Sequence, residues 1–276
     1  MSNNLLVVAV GRIWGAVAPF LFFLTLFSTH SLKAGELQDA VEQLLLDNPD
    51  LPAIAIAVVQ DGQLVDGAAA GFADPGAGIP MSVHSPVRIA SITKTYVAAT
   101  ALVIAAEQNV ELATPIELLL PEQYLAPLRR AGYDVSAIQL SHLLTHRAGL
   151  RQHSNHFWYN FRSFVLRWLE WQPLDTVEIM ADMGPPLAPP GKQYAYSDTG
   201  YILVGQIIEG LSGMPLYEAV RLTLGFKALE LDITWWEALS SPPEEAPARA
   251  QQYYHGWAVN GLDPSMDLYG GGGLMA

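Results

Sequence analysis

Ser91 and Lys94 stand three residues apart in the segment Ser91-Ile92-Thr93-Lys94. On a helix, positions three apart are neighbours, with Cβ atoms about 5–6 Å from each other. A lysine nitrogen at 94 therefore reaches a hydroxyl at 91. A free lysine, with a pKa of about 10.4, is no base at neutral pH. Burial disfavours its charge and lowers that value by up to about 3–5 units. A deprotonated Lys94 would take the Ser91 proton, and Ser91 would attack a carbonyl carbon. A helix N-terminus at Ser91 adds a field that favours developing negative charge. The plainer alternative is a capping serine next to a lysine whose stem is buried and whose head is wet.

The elements around this pair are readable from apolar periodicity. Ser91 to Gln108 is the clearest helix in the chain, rich in Ala and apolar on most faces, which predicts a central, buried position. Leu37 to Leu46 has helical spacing. Ala53 to Gln60 is a β-branched apolar run, Asp61-Gly62 is a two-residue hairpin signal, and Gln63 to Gly71 is the return strand. Ile138 to Thr145 and Tyr201 to Leu211 read as further helices, the second ending near Gly213. Pro185 to Gly191 is a rigid loop, and Ser240 to Pro247 a Pro- and Glu-rich linker. An isolated hairpin is marginal, so its partner strands are expected later in the chain. Few strand-like runs follow Tyr201, and the sequence stops just after a run of four glycines, Gly270 to Gly273. The expectation is a domain over residues 35–276 that lacks its C-terminal part.

A second constellation lies in Tyr194-Ala195-Tyr196-Ser197-Asp198-Thr199-Gly200-Tyr201. A phenol beside a lysine can share its proton and relay it to a leaving group. With this stretch, the chain resembles the serine β-lactamase-related, penicillin-binding superfamily of class C β-lactamases, DD-peptidases and esterases. That family carries S-x-x-K, then Tyr-x-Asn on a loop, then a Lys- or His-led triplet on a strand. Ser91, Lys94 and Tyr196 match the first two motifs, and Asp198 stands where the family often has Asn. Arg88 to Lys94 (RIASITK), His142 to Leu150 (HLLTHRAGL), Pro190-Gly191 to Glu209 and Gly270 to Leu274 resemble further family segments in the family's order. The resemblance covers about residues 37–276, and the third motif should follow Ala276. It implies a mixed α/β (α+β) fold, an antiparallel sheet flanked by helices with a large helical region. It also implies one oxyanion donor from the Ser91 N–H, and a structural, hydrogen-bonded role for His146. Asp198 adds a negative charge near Lys94, which would hold Lys94 protonated and move the base role to Tyr196.

Composition bounds the rest. The 276 residues carry a formal charge of −13 with 14 Lys and Arg, so there is little material for a nucleic-acid-binding face. The chain has no cysteine, which excludes disulfides, a thiol nucleophile and a Cys-based zinc site. Arg12, the apolar run Ile13 to Phe27 and the polar stretch ending at Ala34 read as a secretory signal over residues 1–34. Taken with Leu5 to Val10, the run reads alternatively as an uncleaved anchor over residues 5–27. The expected location is outside the cytoplasm, periplasmic or extracellular, with membrane association only through this segment.

Two clusters invite other chemistry. His142, His146, His153 and His156 fall within fifteen residues, but Leu143 follows His142 where a metalloprotease has Glu. No metal and no cofactor is therefore assigned. The aromatic stretch from Phe157 to Trp171 suits the buried face of a helix, with Trp158 and Tyr159 as candidates to line an apolar substrate pocket. The glycine run lacks the context of a phosphate loop and reads as a tight turn. The sequence thus predicts a serine hydrolase that forms an acyl-enzyme with an ester, amide or lactam carbonyl of a small-molecule or peptide substrate. Ser91, Lys94, Tyr196 and Asp198 would be catalytic. The alternatives are a non-catalytic ligand-binding module of the same fold and a metal-dependent hydrolase built on the histidines.

Overall fold

The computed structural model describes residues 6–9, 35–254, 256–267 and 269–276. Along the chain the elements are β1 (Leu6–Ala9), α1 (Glu36–Asp47), β2 (Ala53–Gln60), β3 (Gln63–Asp74), β4 (Ile79–Pro80), α2 (Thr93–Glu107), α3 (Glu122–Arg130) and α4 (Leu140–Leu144). They continue with α5 (Phe157–Val165), α6 (Pro173–Asp182), α7 (Asp198–Ser212), α8 (Leu216–Thr223), β5 (Trp235–Trp236), β6 (Tyr253–Tyr254), β7 (Trp257–Ala258) and β8 (Leu274–Met275). These residues group into two compact units, residues 1–87 with 247–258, and residues 88–246 with 259–276. The break after Ala246 falls within the Pro- and Glu-rich stretch read as a linker. The remainder of the expected signal or anchor segment lies outside the described residues. Among the described residues, no helix is long and apolar enough to cross a membrane.

The first unit is an antiparallel sheet in the order β1-β2-β3-β4 with one helix against it. Asp61 and Gly62 both take positive φ, 51° and 77°. Two such residues in a row match the right-handed twist of the flanking strands, which is why this dipeptide closes a hairpin. Gln38 of α1 fixes the helix to β3 through both ends of its amide, donating to Ala69 O (3.0 Å) and accepting from Ala69 N (3.3 Å). The expectation that the hairpin's partners come later in the chain is met by β4 and not by β1, which precedes it. The outer edge of β2 is taken by β1, and that of β3 by β4. Strands of two to four residues carry too little pattern to be seen in sequence.

The second unit is a helical body around α2 and α7. Val97, Ala101, Ile104 and Ala105 of α2 and Ile202, Leu203, Val204, Ile207 and Ile208 of α7 are buried in one core cluster. One face of α2 nevertheless remains open, with Leu102 and Val103 exposed. Tyr201 of α7 donates to Leu144 O at the end of α4 (2.9 Å). β8 pairs with β5, and Ile89 N–H donates to Leu274 O (3.0 Å), so the end of the glycine run is fastened beside the segment that precedes α2.

Candidate active site

Ser91 precedes α2 in a short 3₁₀ turn, Ala90–Ile92, and the α-helix proper begins at Thr93. The sequence pattern started the α-helix at Ser91, two residues earlier than observed, and the Ser91 hydroxyl faces Lys94 and Tyr196. The backbone is strained one residue earlier: Ala90 has φ 46°, the left-handed region, which costs an L-residue roughly 1–2 kcal/mol. The bond from Ile89 N–H to Leu274 O helps hold this turn. Ser91 itself is exposed, while Lys94, one turn on, is 5% exposed.

Lys94 Nζ has three acceptors: Ser91 Oγ at 3.1 Å, Asp198 Oδ1 at 2.5 Å, and Gly271 O. That equals the number of N–H donors on an ammonium. Asp198 is the first residue of α7 and is gripped by Gln152, whose Oε1 accepts from Asp198 N–H (2.7 Å) and whose Nε2 donates to Asp198 Oδ2. Burial works to raise the Asp198 carboxyl. The charge of Lys94 and the hydrogen bonds from Lys94 and Gln152 outweigh it and hold the group below its ordinary value. Tyr196 Oη lies 2.7 Å from Ser91 Oγ, and its ring passes 5.0 Å from Lys94 Nζ. The structure thus brings together all four residues expected to be catalytic. Ser91 and Tyr196 face outward, and Lys94 is buried beneath them.

The glycine run supplies Gly271 O because it can lie against α7. A Cβ at Gly270 would stand 2.1 Å from Tyr201 O, so no side chain fits there. Trp236 Nε1 donates to Tyr269 O (2.9 Å) and Gly272 O (3.0 Å), and Leu274 N–H donates to Thr93 Oγ1 (3.2 Å). The tight turn predicted from sequence is present, but its carbonyl contact with Lys94 was not foreseen.

The two pocket candidates separate. Tyr159 is a core residue, packed on Trp171 with ring centroids 5.0 Å apart and donating to Met266 O (2.6 Å), so it offers no wall to a substrate. Trp158 is 58% exposed and rests on Phe157 and Phe161. Core packing was expected for most of this aromatic stretch. Instead Phe157, Trp158 and Trp168 are exposed, while Tyr159 and Trp171 are buried. The histidines also disperse. His142 Nδ1 accepts from Gln139 N–H, His146 Nδ1 from Ser197 N–H, and His156 Nδ1 from Trp158 N–H, each at 3.2 Å, while His153 Nδ1 pairs with Thr199 Oγ1 at 2.8 Å. Among the described residues no three His, Asp or Glu form a metal-binding group. Sequence reasoning missed Gln152 and Gly271. For Gln152 the available signal was its place two residues after the family-like HLLTHRAGL segment.

Comparison with known proteins agrees with this geometry. The Beta-lactamase family model matches residues 38–276. Esterase EstB of Burkholderia gladioli is 30% identical over 207 residues, which cover 71% of this chain and 50% of EstB. The chain spans between about a third and a half of the length of the curated relatives it matches. Among solved structures, a D-stereospecific amidohydrolase from Streptomyces sp. is 27% identical with a TM-score of 0.68, over 87% of this chain and 68% of that one. The D-amino acid amidase of Ochrobactrum anthropi SV3 shares the fold at 22% identity, with a TM-score of 0.70 over 87% and 65% of the two chains. The mixed α/β fold with its helical body is the β-lactamase/transpeptidase-like fold. With its serine and lysine one turn apart, its tyrosine in hydrogen-bond contact with that serine, and a family match over most of its length, this chain belongs to the beta-lactamase family of serine hydrolases and penicillin-binding proteins.

Proposed function

We propose that Ser91 forms an acyl-enzyme with an ester or amide carbonyl, which water then hydrolyses. The observation that carries this reading is the position of Ser91 Oγ between Lys94 Nζ (3.1 Å) and Tyr196 Oη (2.7 Å). Lys94 already faces three acceptors, so the base is Tyr196 as its phenolate, which takes the Ser91 proton and becomes a neutral phenol as Oγ bonds to the carbonyl carbon. The positive charge of Lys94 near the ring favours negative charge on the phenol oxygen before the transfer and again when the proton is passed on. Tyr196 then returns the proton to the leaving alcohol or amine, and a water attacks the acyl carbon by the reverse path. The Ser91 N–H serves as an oxyanion donor.

Asp198 bears on the substrate. Lys94 and Asp198 form a pair with no net charge, so they offer no net attraction to the carboxylate that a β-lactam carries. That favours neutral esters and amides, in line with the names of the esterase and amidohydrolase relatives. Residues 1–34, with Arg12, the apolar run and Ala34, support export of the chain before it acts.

The test is intact mass after exposure to a fluorophosphonate probe. Wild type should gain one probe mass and Ser91→Ala none. The exported protein should begin at Gly35, which the same masses report. A p-nitrophenyl ester should be turned over faster than nitrocefin. Equal labelling of wild type and Ser91→Ala rejects the mechanism, and nitrocefin turnover well above ester turnover rejects the substrate preference.

A further inference from the structure

His146 holds the Tyr196 segment at three points. Its backbone O accepts from Ala195 N–H (2.8 Å), and its Nδ1 accepts from Ser197 N–H (3.2 Å), so both residues flanking Tyr196 are tied to it. Its ring stacks on the Tyr196 ring, with centroids 4.4 Å apart and planes 30° apart. His146 holds this pose with φ 55°, a left-handed backbone uncommon for residues with a side chain but adopted more readily by His, Asn and Asp. Nothing in the proposed proton path uses His146, yet the phenol that path depends on is set by it.

We infer that His146 is a positioning residue for Tyr196, holding the phenol oxygen against Ser91 through the neutral imidazole's acceptor nitrogen and its ring face. This rests on the acyl-enzyme reading above. The Ser197 N–H points at Nδ1, so that nitrogen must be unprotonated and the ring proton sits on Nε2. A second proton removes the acceptor and places a cation on the Tyr196 ring, close to Lys94. The groups facing the imidazole are Lys94 of α2, Asp198 and Tyr201 of α7, His142 of α4, and Tyr194 and Tyr196 of the loop before α7. Burial and the Lys94 charge outweigh the opposing pull of Asp198 and take the imidazole below its ordinary value, which keeps the working form neutral at pH 7.

Two variants separate positioning from mere support. In His146→Asn the side-chain oxygen occupies the place of Nδ1, does not titrate, and tolerates the left-handed backbone. In His146→Ala both the acceptor and the ring are lost. The measurement is the rate of fluorophosphonate labelling at Ser91 from pH 4.5 to 9 in the full chain. Thermal midpoints confirm that each variant is folded. We expect His146→Ala to label roughly tenfold to a hundredfold more slowly, the scale of a reacting group misplaced by about 1 Å. His146→Asn should recover most of the rate at pH 7. The loss of rate that wild type shows on acidification should shrink in both variants. If folded His146→Ala labels like wild type, or His146→Asn gives no recovery, the positioning role is wrong and the acyl-enzyme reading stands. If wild type itself gains no mass at Ser91, that underlying reading fails and takes this inference with it.

Discussion

Two polar groups in this chain have opposite histories. Four histidines crowd into residues 142–156, and four reactive residues are scattered from Ser91 to Asp198. The crowded group disperses: His142 and His156 go to backbone donors two or three residues away, while His146 and His153 reach Ser197 and Thr199 at the start of α7. The scattered group converges on one serine oxygen and one lysine nitrogen. His142 and His156 satisfy the local backbone, because helix ends leave donors unpaired nearby, and the other two are drawn to a different element. A shared site needs a frame that brings distant elements together, here the packing of α2 against α7. Spacing along the chain therefore says less about a cluster than the elements on which its members ride.

The comparison is broken most severely through Tyr196. If the scattered group acts as a unit, Tyr196→Phe should slow Ser91 labelling by about 10²–10⁴-fold, the range for a lost general acid–base group. The folded stability of that variant should stay close to wild type, since Tyr196 is partly exposed. A variant within threefold of wild-type rate means that the phenol is not part of the unit.

The next effect sharpens the other side. His153 is buried against Thr199 and Tyr159 and is held neutral, its value lowered from 6.5 to about 4 chiefly by burial. An unfolded chain binds a proton at this residue between those two values, and the folded chain does not. Stability contributed by the neutral ring is thus complete above about pH 6.5 and lost as pH falls toward 4, a change of about 3 kcal/mol. Urea midpoints at pH 7 and 4.5 measure this loss. In His153→Asn, which keeps an acceptor at the same place for Thr199, the loss should be markedly smaller. An unchanged loss would assign the acid sensitivity elsewhere, for instance to His142 and His146, which burial also lowers. Asp198 works below its ordinary 3.8 and lies outside this window.

The smallest effect separates the two groups most cleanly. His156 caps α5 by accepting from Trp158 N–H. His156→Ala should cost about 1 kcal/mol of stability and leave the labelling rate at Ser91 unchanged. A rate loss here would mean that His156, and not His146 alone, is coupled to the reactive group.

The sequence made some of this legible. Ser91 and Lys94 share one helical turn, so their contact follows from spacing alone. The hairpin was legible because Asp61-Gly62 tolerates the backbone its turn demands, and β2 has the residues the apolar run indicated. Tyr196 and Asp198 were readable only through a motif, since nothing in their residue types points toward position 91. Gln152 and Gly271 were not legible. One acts through an amide grip on a distant helix start, and the other through a backbone oxygen that every residue possesses. The aromatic stretch misled because periodicity shows that a face exists and is silent on whether it turns inward. Phe157 and Trp168 turned outward, while Tyr159 and Trp171 turned inward.

The contact between Lys94 and Gly271 O has a consequence for how this site is altered. Replacing a residue changes what hangs from the main chain and leaves its oxygens in place, so substituting position 271 does not delete this partner. It can only be pushed aside, by bulk introduced where Gly270 now admits none. A methyl group at that position, far from Ser91 in the chain, would crowd Tyr201 O and tilt the ribbon of glycines, and the lysine would feel a change in a neighbour that had itself kept every atom.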